Sequence, residues 1–270
     1  GLKLSQCVTM PTTNPTHDWR VFVDAYSGDV LSIEDLIVFM PVNGEGQVFD
    51  PNPVVTANNN TFRDGVTAEA TLNNERVTHP LMQLNDPPPG VQYSLIGPFC
   101  NITDLGAPNI GIPQEANATD FKYTRIADNF EAVNVYYHID TIQRYFQNVL
   151  GITTANNRQI DADPHDNSFI AAWYSPSTKD LHFSDSGPNV PDRAEDGDCM
   201  AHEYGHAIQD DIVPGWGLPV SGTTRYESRA IGEGFGDILA VLFFVMAGNG
   251  YQRQVVEDWV FADQNLGDGL

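Results

Sequence analysis

The 270-residue sequence is poor in cysteine, in positive charge and in long apolar runs, and each shortage excludes something. Three cysteines, Cys7, Cys100 and Cys199, cannot form the dense disulfide framework that holds small secreted domains together. Cys7 and Cys100 are either a pair or two free thiols, and Cys199 reads as a small buried apolar residue. Lysine and arginine number 13 against 36 acidic residues, a formal charge of -23. A surface of that sign repels nucleic acid and anionic membrane, which argues against both as partners. The acidity suits solubility in a salty or extracellular setting, and bound calcium can absorb some of the carboxylates. The longest apolar run, residues 238–247, is about half the ~20 residues needed to cross a bilayer and reads as a buried core helix. The opening GLKLSQCVTMP has no signal-peptide shape, so any export signal is expected to have been removed or to precede this stretch.

What is present is globular composition, 41% hydrophobic and 10% aromatic, in an α+β order. Trp19, Val21 and Val23 alternate before Ser27, Gly28 and Asp29 turn the chain into Val30, a hairpin pattern. Residues 41–90 are rich in Asn, Pro, Asp and Gly and read as long loops between short strands. Val135, Ile139, Ile142, Phe146 and Val149 then recur at spacings of four and three, one face of a helix that Gly151 ends. A second hairpin follows around Ser175, Pro176 and Ser177, and from Asp196 the pattern is helical. The chain divides on this reading into a β-hairpin segment (1–50), a β-rich part with one amphipathic helix (51–190) and a pair of helices (191–270).

The first helix of that pair carries "CMAHEYGHAIQDD". Residues four apart share a helix face, so His202 and His206 can present two imidazoles to one metal ion. Glu203, turned by about 100° from His202, falls beside the metal and is suited to take a proton from a water there. A catalytic zinc site needs a third protein ligand and one open position. Glu233 in "RAIGEGFGDILA" is the candidate, and Asp237, one turn on, can accept the free N–H of a ligating histidine. His17, His79, His138, His165 and His182 show no ligand spacing and read as surface or packing residues.

With these residues in view, the chain resembles the thermolysin–fungalysin group of zinc endopeptidases, the gluzincins, from about residue 18 onward. "VYYHIDTIQRYFQNVLG" is similar to the Tyr-rich helix ahead of the active site in that group, and "AAWYSPSTKDLHFSDSG" resembles its peptide-binding edge hairpin. "HEYGHAIQDD" with "GEGFGDILA" is closest to the fungalysin side, and "DWRVFVDAYSGDVL" looks like the last hairpin of a PepSY-type propeptide. The resemblance implies a zincin-like N-terminal catalytic lobe in a secreted peptidase. It implies Zn2+ on His202, His206 and Glu233, Glu203 as general base, and Asp237 behind a ligating histidine. Peptide or protein substrate would lie along Ala171, Ala172 and Trp173, and Tyr226 falls near the oxyanion tyrosine.

The sequence departs from the pattern at several points. Gly232 precedes the third ligand where thermolysin-type enzymes have asparagine, and Ile170 stands where a substrate-holding asparagine is common. Asp198 matches a calcium-ligand position, but its glutamate partner falls on Phe244, so the double Ca2+ site does not carry over. No histidine follows His206, and the helical lobe that carries further catalytic groups in the family is not in this stretch. The expectation is therefore a piece of a zymogen with weak activity or none. The alternative is a non-catalytic metal-binding or adhesive module, against which the intact Glu203 speaks.

Overall fold

In the computed structural model, residues 4–13, 16–35, 41–216, 226–247 and 255–261 are described. The chain is α+β. Strands β1 (Ser5–Thr13), β2 (Thr16–Asp24) and β3 (Val30–Asp35) form an antiparallel sheet of their own. The β2–β3 turn is the expected one, with Gly28 at φ +77° and the Asp24 carboxylate accepting from the N–H of Tyr26 and Ser27 at 2.9 and 3.2 Å.

Next come β4 (Val42–Val48), the short helices α1 (Pro53–Ala57) and α2 (Glu69–Asn74), and β5 (Val77–Leu84), which pairs antiparallel with β4. The stretch read as long loops is thus more ordered than expected. Its asparagines act as caps, since Asn52 Oδ1 accepts from the N–H of Val55 at 3.0 Å and Asn58 closes α1 in the left-handed region. Although β4 lies inside the 1–50 stretch, its Val48 packs in the main core with Leu81, Phe121 and Val133.

The remaining elements are β6 (Tyr93–Ser94), β7 (Cys100–Ile102), β8 (Gln114–Glu115), α3 (Asn129–Asn148), β9 (Ile160–Asp163), β10 (Ala172–Ser175), β11 (Asp180–Phe183), a 3-10 turn (Arg193–Glu195), α4 (Gly197–Ile212) and α5 (Tyr226–Ala247). A four-stranded sheet runs in the order β10-β11-β9-β7, parallel between β7, β9 and β11 and antiparallel at the β10 edge. Parallel neighbours need a crossover, and α3 provides it between β7 and β9. Its Val135, Ile139, Ile142 and Phe146 are buried in one cluster with Ile160, Ala162, Leu181 and Phe183, while Met200, Tyr204 and Ile208 of α4 complete that cluster.

Two apolar assignments need correction. Val149 is not on the buried face: it is the residue that ends α3 and is 65% exposed. The apolar run of α5 is not buried all round, because Leu239, Ala240, Phe243 and Phe244 are covered while Ile238 and Leu242 are 60% and 58% exposed. A helix resting on one neighbour hides only the stripe facing it, whatever the composition of the other side. The three cysteines are free thiols, with Cys7 exposed and Cys100 and Cys199 buried. Among the described residues no helix is long and apolar enough to cross a membrane.

Three histidines read as surface or packing residues are buried and bonded. His138 is fully enclosed, and its Nε2 donates to the Phe49 carbonyl at 2.8 Å. Burial holds its pKa down, which keeps the ring neutral. One turn earlier on α3, Asn134 Oδ1 accepts from the Phe49 N–H at 3.0 Å and Nδ2 donates to Ala194 O at 2.9 Å. These two side chains, four apart, clamp both main-chain groups of Phe49 to the central helix. His165 contacts Asp185 at 2.7 Å, and His182 lies between Asp166 and Asp180 at 2.8 and 2.9 Å.

Candidate metal centre

Helix α4 begins where Asp196, in extended conformation, accepts from the Asp198 N–H at 3.1 Å, satisfying one of the free donors of the first turn. Burial of Met200, Ala201, Tyr204, Ala207 and Ile208 fixes the rotation of the helix about its axis. That rotation turns His202 and His206 toward α5, with ring centroids 4.9 Å apart.

Two glycines set how closely α5 approaches. A Cβ at Gly205 would stand 3.1 Å from Cα of Gly236, and a Cβ at Gly236 would stand 2.8 Å from Cγ and Nδ1 of the His202 ring. The helices therefore cross in near backbone contact, one turn from Glu233. Gly236→Ala is expected to force them apart at a cost of roughly 1–3 kcal/mol. A Cβ at Gly234, two residues away on the same helix, would meet nothing within 4 Å, so Gly234→Ala should gain up to about 1 kcal/mol of helix propensity. Chemical denaturation of the two variants reads the difference, and equal midpoints would show that the crossing tolerates a methyl group.

The close approach brings the donors together. Glu233 Oε2 lies 3.3 Å from His202 Nε2 and 3.6 Å from His206 Nε2. Zinc with bonds of about 2.0–2.1 Å in tetrahedral geometry holds neighbouring donor atoms roughly 3.3–3.5 Å apart, so the spacing fits that ion. His202 Nδ1 lies 2.8 Å from Asp237 Oδ1. A carboxylate only accepts, so Nδ1 carries a proton toward Asp237, which leaves Nε2 as the nitrogen that would ligate a metal ion. The His202 side chain is 11% exposed and that of Glu233 is 61%, so the group is walled by α4 and open beside α5.

Glu203 also brings a carboxylate oxygen within 4.8 Å of ring nitrogens of both histidines. Its Oε2 accepts from the Tyr174 N–H at 3.0 Å, which ties the carboxylate to β10, and burial pushes its pKa up to about 7 against the opposing charge of His202. Burial lowers the His206 pKa, with His202 adding to the effect. His202 is raised instead, because Glu203, Glu257 and Asp237 outweigh its own burial.

Ala171, just before β10, and Ala172 and Trp173, which begin it, are half-buried at the edge of the sheet, with Trp173 stacked on His182 at 4.5 Å. Tyr226 is the first residue of α5, and its side chain lies outside the described residues, as does most of the loop before it.

Two neighbours of the site were missed in the sequence. Tyr174 donates its N–H to Glu203 and its hydroxyl to Asp210 at 3.0 Å. The alternation of a strand points it inward opposite Trp173, a signal that was available. Glu257, at φ +58°, is half-buried near His202 and Glu203, and desolvation pushes its pKa up to about 7, with Asp196 next in effect. Nothing local marks Glu257, because its neighbours in space are over fifty positions away in the chain. A scan against protein-family models and a search of curated proteins return no match for this chain.

Proposed function

We propose that the chain is the zinc-binding lobe of a secreted endopeptidase of zincin-like fold, in the manner of the thermolysin–fungalysin group. The observation that carries this reading is that Glu233 Oε2 lies 3.3 and 3.6 Å from the Nε2 atoms of His202 and His206, with Glu203 beside them and β10, the edge of its sheet, alongside. Zinc held there supplies Lewis acidity for hydrolysis of a peptide bond.

The chain's own residues do the rest. Asp237 fixes the tautomer of His202, which a metal-ligating imidazole requires. Glu203, held in place by the Tyr174 N–H, is suited to accept a proton from the attacking water and return it to the leaving amine. Ala171, Ala172 and Trp173 offer an edge to which an extended substrate adds as a further strand, so that main-chain bonds give affinity independent of side chain. The Tyr174–Glu203 bond fixes the distance between that edge and the base. Phe244, at the position of the missing calcium ligand, packs against His138 at 5.6 Å, which supports leaving the double Ca2+ site out.

The test is zinc stoichiometry with hydrolysis of a quenched-fluorescent peptide, for this chain and for one extended beyond Leu270. One zinc per chain, lost in His202→Ala, is expected, together with cleavage in at least the longer form. No zinc would overturn the site, and zinc without cleavage in either form would favour the metal-binding module.

A further inference from the structure

A second group of carboxylates lies away from the histidines, where the first turn of α3 meets the 3-10 turn that leads into α4. The cleft there has a volume of about 360 Å3, and its lining includes Asp64, Glu69, Glu131, Asp192 and Glu195 with Arg125 as the cation among them. The guanidinium is already committed. It reaches Asp64 at 2.6 Å, Glu69 at 2.7 Å and Glu195 Oε2 at 3.0 Å, and its Nε lies 2.7 Å from Glu195 Oε1 without the alignment of a hydrogen bond.

Asp192 Oδ1 accepts from the Ser186 N–H at 2.6 Å, and Glu131 is left over. One oxygen each of Glu131, Asp192 and Glu195 lies within 4.8 Å of the others. Glu131 is 3% exposed, and its Oε2 is buried with no hydrogen-bond partner. A buried acceptor that nothing satisfies is rare and costly, and a buried carboxylate more so. Burial first, then the charge of Glu195, holds the Glu131 pKa well above the carboxylate range, and burial lifts Asp192 to about 6. These are the signs of a site that lacks a positive charge.

We propose that Glu131, Asp192 and Glu195 bind a divalent cation, calcium in preference to magnesium. The donors are all carboxylate oxygens, which select a hard cation over zinc or copper. Oxygens on opposite sides of Ca2+ stand roughly 4.6–5.2 Å apart, whereas strict octahedral Mg2+ holds them at about 4.0–4.2 Å. The three oxygens lie within 4.8 Å of one another, close enough to share one cation, and Mg2+, which keeps several waters and takes only one or two carboxylates, suits three of them less well than Ca2+. Glu195 Oε2 already accepts from Arg125 and Trp259, so it is Oε1, which accepts no aligned hydrogen bond, that is left to ligate. The ion would pin α3 to the turn that ends two residues before α4, linking calcium to the seating of the helix that carries His202 and His206.

The site has its own reporter, because Trp259 Nε1 donates to Glu195 Oε2 at 3.0 Å. Terbium bound there should luminesce on tryptophan excitation of the zinc-loaded chain and be displaced by Ca2+ at lower concentration than by Mg2+. Glu131→Gln should weaken calcium competition by about ten-fold or more and remove most of the calcium-dependent rise in Tm. Asp192→Asn, at a half-buried position, should do the same and serves if the first variant does not fold. Asp258→Asn, in a neighbouring acidic cluster with Asp196 and Asp198, should change neither reading. Equal calcium affinity in wild type and both site variants, loss of binding in the Asp258 variant alone, or no calcium effect on the wild type would overturn the proposal.

Discussion

Glu203→Gln is expected to keep the fold and one zinc per chain while lowering kcat/KM for peptide hydrolysis by about 10²- to 10⁴-fold, the usual contribution of a positioned general base. Glutamine matches glutamate in shape and retains a carbonyl oxygen to accept from the Tyr174 N–H, so the tie to β10 survives. What it removes is the site for the proton. Because His202, His206 and Glu233 are the proposed ligands, zinc content measured on the same sample should stay near that of the wild type. A fall of less than a few-fold would reject Glu203 as the base. Loss of zinc along with activity would reassign it as a ligand.

The second large effect is on stability. Asn134→Leu is expected to cost about 2–6 kcal/mol, since it strands two buried main-chain groups at roughly 1–3 kcal/mol each. The groups are the Phe49 N–H and the Ala194 carbonyl, and Asn134 itself is fully buried, so water cannot replace it in place. His138→Phe should cost less, because it frees only the Phe49 carbonyl. The double variant should fall short of the sum, since both side chains hold the same residue. Urea unfolding gives all three values. A loss below about 1 kcal/mol for Asn134→Leu, with an unchanged m-value, would show that the strand end relaxes and finds other partners.

Helix positions were legible wherever the apolar spacing was long and regular. The 135-139-142-146 series locates α3 and its buried face, and the two hairpin turns stand where Gly28 and Pro176 mark them. Buried polar residues were not legible. Asn134, His138 and Gln143 are polar positions of an amphipathic helix, yet each is enclosed and bonded to a main-chain group outside the helix. For the same reason the Glu131, Asp192 and Glu195 cluster has no signature in sequence, its members lying up to 64 positions apart.

By itself the sequence determined the candidate ligands and their spacing on each helix, since the period of 3.6 residues places His202 with His206 and Glu233 with Asp237 on common faces. Only the tertiary structure decided that the two faces meet. That depends on the separation and rotation of two packed helices, which Gly205 and Gly236 allow and which the burial of Tyr204, Ile208 and Leu239 sets. Local propensity carries no information about a distance between helices, because that distance is fixed by the volumes of the side chains caught between them.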